Sequence, residues 1–219
     1  MADTSKPAPT RRRFGRRILA ATLAGLTGAA VFAAGAADAR IGGDNHSPTV
    51  AAASTTALQA FDTFEAAGTP GAFVVYVQAR DATADAVAAE MQLDPAVLRA
   101  AWAKADLEHQ EVVLAALTQL GVPYIGYKSE AYVGFDCSGL TSWAWARAGV
   151  SIAHQSSAQI RAARGVDETQ AVAGDIVQYP GHVMLYLGVD RAIVHASNPS
   201  TDVELSFVPR SVRFGDPTS

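Results

Sequence analysis

Cysteine and histidine are the side chains best suited to attacking a carbonyl carbon and moving its proton near neutral pH, and their positions frame this chain. The only cysteine, Cys137, lies in Phe135-Asp136-Cys137-Ser138-Gly139-Leu140. Gly134 precedes this stretch, and Leu140, Trp143, Ala144 and Ala148 follow at helical spacing until Gly149. The thiol is therefore predicted in the first turn of a helix. Free backbone N–H groups and the positive dipole end there are expected to lower its pKa from the usual ~8.5 and favour the thiolate. A buried thiol acting as a small hydrophobe is the other reading. The polar flanks Asp136 and Ser138 count against it, as does the export signal described below.

A base for this thiol is available on a predicted hairpin. His182 to Leu187 and Ala192 to Ser197 read as strands joined by Gly188-Val189-Asp190-Arg191. With the turn centred between Val189 and Asp190, Met184 faces His195 and His182 faces Ser197. His182 and His195 then share a face as diagonal neighbours, ~7–8 Å apart at Cα, close enough for the imidazoles to meet. Cysteine, first histidine and second histidine can supply nucleophile, base and orienter. Two histidines facing each other on paired strands are also consistent with a packed polar pair. One cysteine and two histidines could hold Zn²⁺ with an open position for water. No carboxylate is obviously placed as a base beside such an ion, and a helix-start cysteine needs no metal to ionise.

The elements that must position these residues change type along the chain. A helix is predicted from Asp106 to Leu120, with Val113, Leu114, Leu117 and Leu120 on one stripe and Gly121 ending it. Val122-Pro123-Tyr124 turns into the loop before Cys137. Residues 150–172 form a polar connection containing His154, Ser156, Gln159 and Gly165. Strands follow at Ile176 to Tyr179, across the hairpin, and at Val203 to Val208. Helices first and a strand meander after is an α+β pattern. Before it, residues 40–56 read as a flexible spacer. A small, mainly helical appendage over 57–105 should pack on the main domain. Its parts are a helix from Thr56 to Ala67, a strand at Phe73-Val74-Val75-Tyr76-Val77, and helices at Thr83 to Met91 and Pro95 to Lys104, with Asp94 capping the last. This order faintly resembles a LysM-type wall-binding module, but the glycine, the later asparagine and the closing strand of that module are missing. His109, in a charged helical context, is expected to be solvated.

Composition narrows the class. With 219 residues, 49% hydrophobic and 17% charged, the chain can bury a sizeable core. One cysteine allows no internal disulfide and no zinc-finger spacing. Residues 1–39 hold six basic side chains (Lys6, Arg11, Arg12, Arg13, Arg16 and Arg17) against Asp3 and Asp38. The rest has eleven basic and nineteen acidic residues, so the formal charge falls from −4 to −8. An acidic domain argues against nucleic acid as partner. Thr10-Arg11-Arg12-Arg13-Phe14-Gly15-Arg16 ahead of an uncharged run from Ile18 to Ala37 resembles a twin-arginine export signal, with Ala37-Asp38-Ala39 favouring cleavage before Arg40. If uncleaved, the run is ~30 Å long as a helix and could anchor the chain in a membrane.

Taken in order, these segments resemble the NlpC family of papain-like bacterial cell-wall cysteine peptidases, from about Asp106 to Phe214. Leu120-Gly121-Val122-Pro123-Tyr124 resembles the segment that opens the family's catalytic region. Phe135 to Leu140 resembles its nucleophile motif, and Ala173-Gly174-Asp175-Ile176-Val177 its pre-histidine turn. His182 to Gly188 and Val194-His195-Ala196 resemble its base and orienter strands. The resemblance implies a papain-like fold over 106–219, with the catalytic cysteine starting a helix packed on an antiparallel sheet. It implies Cys137 as nucleophile, His182 as general base and His195 as orienter. Tyr124 would line the pocket near the oxyanion, and Asp136 and Ser138 would help hold the substrate's amino end, with helix capping as their other reading. The implied substrates are peptidoglycan stem peptides, typically cut between D-γ-glutamyl and the diamino acid, with no cofactor and no metal, in a secreted or wall-associated setting. Gly126-Tyr127 stands where many members have Gly-Gly, Met184 where they often have a glycine, and Ala153-His154 where Pro-Arg is common. A non-catalytic wall-binding domain on the same fold is the alternative. The segment 40–105 is also expected as a candidate cover for the cleft.

Overall fold

The computed structural model describes residues 47–208 and 211–218. The export-signal reading of 1–39 and the first part of the expected spacer lie outside them. Three helices come first: α1 (Pro48–Ala67), α2 (Pro70–Met91) and α3 (Pro95–Lys104). Each starts on a side-chain cap with proline at the first helical position: Ser47 accepts from the Val50 N–H, Thr69 from Ala72, and Asp94 from Ala96 and Val97. Residues 48–56 are thus the first turns of α1 rather than spacer. The strand expected at Phe73 to Val77 is helix. Gly68, Pro70 and Gly71 read as a break, yet they are the αL end of α1 and the start of α2. Tyr76, Arg80, Thr83, Ala84, Val87 and Ala88 are buried at helical spacing, while Phe73, Val74 and Val75 face outward. Packing of that stripe overrides the strand propensity of the β-branched run. The LysM-like order is lost with the strand.

α4 (Leu107–Leu117) follows, capped by Asp106, and is buried on every side from His109 to Leu117. A short hairpin, β1 (Ser129–Glu130) and β2 (Gly134–Phe135), leads to α5 (Cys137–Arg147). After α6 (Ser156–Ala162) come β3 (Arg164–Val166), β4 (Ile176–Tyr179), β5 (His182–Tyr186), β6 (Ala192–Ala196), β7 (Val203–Phe207) and β8 (Arg213–Asp216). They form one sheet in the order β3-β8-β4-β5-β6-β7, every pairing antiparallel. The fold is α+β and papain-like: a cysteine starts a helix that packs on an antiparallel sheet.

The helices and one sheet face share a core that includes Phe61, Tyr76, Trp102, Leu114, Trp145 and Leu185. Val177, Met184, Tyr186, Ile193 and Phe214 pack together on the other face. The N-terminal helices belong to the first core. The Trp102 indole N–H donates to the Leu187 carbonyl at 2.9 Å, and Arg147 pairs with Asp62 of α1 at 2.7 Å. Arg147 ends α5, roughly 15 Å from Cys137 at 1.5 Å per residue, so this anchor lies well away from the thiol.

Candidate active site

Cys137 is the first residue of α5, and Asp136 is its N-cap, accepting the Gly139 N–H at 2.7 Å. The helix start is where the sequence places it. The electrostatics differ from the expectation. Burial pushes the thiol above its ordinary pKa, and Asp136 adds to this. The backbone N–H groups of Val183, Ser138 and Cys137 pull the other way without overcoming it. A helix N-terminus favours a thiolate, but a buried one with a carboxylate beside it rests as the thiol. The bond from Val183 sets the sulfur against the start of β5, one residue after His182.

The hairpin register is the one the turn predicts, with Leu185 opposite Val194 and Tyr186 opposite Ile193. It brings His182 Nε2 within 2.8 Å of His195 Nδ1. Tyr179 lies against the other side of His182, ring centroids 5.2 Å apart. Burial lowers the His182 pKa to about 4, and burial plus the neighbouring His182 lowers that of His195 to about 3. Both imidazoles are neutral at ordinary pH. The far nitrogen of His195, Nε2, is buried without a hydrogen bond. The nearest carboxylate oxygen is Glu204 Oε1 at 3.5 Å, on the residue directly across the β6–β7 ladder. Sequence reasoning missed Glu204; the alternation of β7 against β6 could have found it.

Around the thiol, Asp136 is 8% exposed and its carboxylate is occupied. Oδ1 accepts from Gly139 N–H, from the Ser138 hydroxyl at 3.1 Å and from His154 Nε2 at 2.8 Å. Oδ2 accepts the Tyr127 N–H at 2.8 Å. Ser138 is buried and spends its hydroxyl on Asp136. Capping, the other reading of these residues, describes Asp136 directly. Burial, with Cys137, Asp136 and Tyr127 nearby, holds the Tyr124 hydroxyl above its usual pKa. His154, expected in a polar connection and as a departure from the common Pro-Arg, supports the cap with its ring. Gly139 is required here. A β-carbon on it would meet the Lys128 carbonyl at 1.9 Å and His154 Nε2 at 3.0 Å.

His109 is a correction. It is 2% exposed, not solvated, because α4 is buried all round. Its Nδ1 lies 2.8 Å from Asp106, Nε2 lies 3.3 Å from Asp175, and its ring packs edge-on against Trp145. Burial opposes its charge, but the bonds to Asp175 and Asp106 outweigh burial and raise its pKa. With Asp216 it forms the one group of metal-ligand spacing among the described residues, ligand atoms within 4.8 Å of one another. Asp216 already accepts from Arg164 and from the Thr218 hydroxyl and N–H. An imidazolium among three carboxylates accounts for this cluster, which ties α4 to β4 and β8.

Residues 121–212 match the NlpC/P60 family. A probable endopeptidase of Corynebacterium glutamicum (strain R) is 40% identical over 141 residues, 61% of this chain and 62% of that protein. The peptidoglycan endopeptidase RipB of Mycobacterium tuberculosis is 39% identical over 116 residues, 46% of this chain and 48% of that protein. The bifunctional muramidase/DL-endopeptidase CwlT of Bacillus subtilis is 35% identical over 91 residues, 38% of this chain and 28% of that protein. The chain therefore spans about half to three fifths of the first two relatives' length. The segment that matches the NlpC/P60 family, residues 121–212, holds Cys137, His182 and His195 between its ends.

Proposed function

We propose that this chain is a cysteine endopeptidase that hydrolyses peptide bonds in peptidoglycan stem peptides, between D-γ-glutamyl and the diamino acid. The observation that carries the reading is the convergence at one end of β5. Cys137 starts α5 with its sulfur against Val183, and His182, one residue earlier, has Nε2 on His195 at 2.8 Å. Endopeptidase and DL-endopeptidase are also the activities named for relatives sharing this segment. The acidic charge beyond residue 39 fits a substrate other than nucleic acid.

In this reading His182 is the base, acting through Nδ1 because Nε2 is held by His195. A neutral His182 takes the Cys137 proton as sulfur attacks the glutamyl carbonyl carbon. The oxyanion forms near the helix-start N–H groups and the Tyr124 hydroxyl, which would stabilise it by donation. Collapse expels the amine of the diamino acid, which takes the proton back from His182. Water, activated by the same histidine, then releases the acyl group from sulfur. His195 accepts from His182 Nε2–H and so fixes the tautomer that leaves Nδ1 free. Glu204 orients His195 from behind. Asp136 and Ser138 hold the chain's turn into Cys137 and shape the approach to it. No cofactor enters these steps. The domain would act outside the cytoplasmic membrane, where stem peptides are. Among the described residues no helix is long and apolar enough to cross a membrane.

The test is product analysis by mass spectrometry with defined stem tetrapeptides. Release of an alanyl-glutamate fragment by the wild type, reduced ~10⁶-fold by Cys137→Ala, the scale of losing a triad nucleophile, is the expected result. Binding without cleavage would support the wall-binding alternative instead.

A further inference from the structure

We infer that Tyr179 walls the subsite for the leaving residue, the diamino acid on the amine side of the cut bond, and that its ring packs on the aliphatic side chain of that residue. This rests on the peptidase reading and names a residue that sets its specificity.

The chemistry fixes where the leaving residue must lie. The amine expelled on collapse takes its proton from His182 Nδ1, so its nitrogen comes within about 3 Å of that atom. The side chain of the leaving residue begins two bonds from this nitrogen and therefore meets whatever borders the His182 ring. Among the described residues two rings border it. His195 is 2.8 Å from Nε2, and Tyr179 has its ring centroid 5.2 Å away with the planes inclined at 38°. His195 is buried and backed by Glu204. Tyr179 is only half-buried, so it is the neighbour of the base that a substrate can reach. The thiol is at the same end of β5, held by the bond from Val183.

The local structure mounts this ring rigidly. Tyr179 ends β4 and is the direct antiparallel partner of His182. Pro180 and Gly181, both exposed, make the turn between them, and Gly181 has φ of 89°, the conformation that a type II turn gives to a glycine after proline. A β-carbon on Gly181 would meet nothing within 4 Å, so this turn stands at an open edge. From behind, Tyr179 packs on the cluster of Val177, Met184, Tyr186 and Phe214. A ring held between a core cluster and the base is ordered before a ligand arrives, which reduces the entropy lost on binding. Its apolar face suits a methylene chain, while the polar end of the diamino acid can stay in water.

The experiment compares two tripeptides with the same acyl part, L-alanyl-D-γ-glutamyl-diaminopimelate and L-alanyl-D-γ-glutamyl-glycine, on the wild type, Tyr179→Phe and Tyr179→Ala. The wild type should prefer the diaminopimelate peptide in kcat/KM. Tyr179→Ala should reduce that ratio about tenfold, the upper scale of a lost aromatic contact, and Tyr179→Phe, which keeps the ring, should retain it. A residue that only positions His182 would slow both substrates equally. An unchanged ratio in Tyr179→Ala therefore overturns the inference. Calorimetry with Cys137→Ala protein reads the subsite without turnover. Tighter binding of the diaminopimelate peptide, lost when Tyr179→Ala is added, supports the subsite even if the wild type cuts neither peptide, a result that would count against the peptidase reading alone. Cleavage with no preference between the two peptides, in rate or in binding, overturns the role of Tyr179 and leaves the peptidase reading standing.

Discussion

His182 and Cys137 rest as neutral imidazole and thiol, and the pH dependence should show it. A group with a lowered pKa accepts its proton only in more acidic solution, so the acid limb of kcat/KM should have its midpoint near the about 4 of His182 rather than near 6.5. Initial rates on a defined stem peptide across that range decide; a midpoint near 6.5 would mean that His182 is solvated. Glu204 acts through His195, and a pH profile separates that role from packing. Glu204→Gln removes a negative charge that favours the imidazolium. It should lower kcat/KM roughly fivefold, the scale of ~1 kcal/mol for a lost charge–imidazole attraction, and move the acid limb to lower pH. A rate loss with the limb unmoved would make Glu204 structural. At this scale Cys137, His182 and His195 were legible because a helix start and an even-length hairpin turn fix their geometry from local sequence. Glu204 was not, because its role depends on the register of a strand nine residues further on. Nor was the raised Cys137 pKa, which depends on how deeply the tertiary fold buries the thiol.

Elements succeed or fail here on single close approaches. Gly139→Ala would drive a methyl group into the Lys128 carbonyl, only 1.9 Å away. It should displace the loop from α5, lowering the thermal midpoint and the activity together. His109→Gln tests the ionic tie between α4, β4 and β8. Because the folded protein raises the His109 pKa, its charge contributes stability that is fully present below the unfolded value of ~6.5 and is lost as pH rises through the folded value. Denaturant titrations should therefore show a loss of about 2 kcal/mol at pH 6, the scale of hydrogen bonds to a charged group, narrowing at alkaline pH. A pH-independent difference would point to packing instead. α3 and strands β4 to β7 were readable from caps and alternation; β3, inside the expected polar connection, and β8 were not. α2 was not: Phe73-Val74-Val75-Tyr76-Val77 has strand composition, and only the burial of Tyr76, Arg80, Thr83 and Val87 along one stripe reveals the helix.

The N-terminal helices and the α+β part of the chain share one core, which bears on the molecule as a whole. Phe61, Tyr76, Leu98 and Trp102 pack in the same cluster as Leu114, Trp145 and Leu185, so α1 to α3 contribute to the core of the domain. Residues 40–219 should unfold in one transition by calorimetry, and residues 106–219 alone should lack a cooperative transition. Full stability of the shorter chain would restore the idea of a separable appendage. The sequence hinted at this packing through its helical spacing, but the shared core depends on long-range contacts such as Trp102 to Leu187 that no local pattern encodes. The central claim concerns Cys137 as nucleophile. Its most direct test is intact-protein mass spectrometry of the chain, acid-quenched during turnover of a stem peptide. The account predicts an added alanyl-glutamyl mass on Cys137 in the wild type and none in Cys137→Ser. Undiminished cleavage by Cys137→Ala, with no adduct on the wild type, would contradict it.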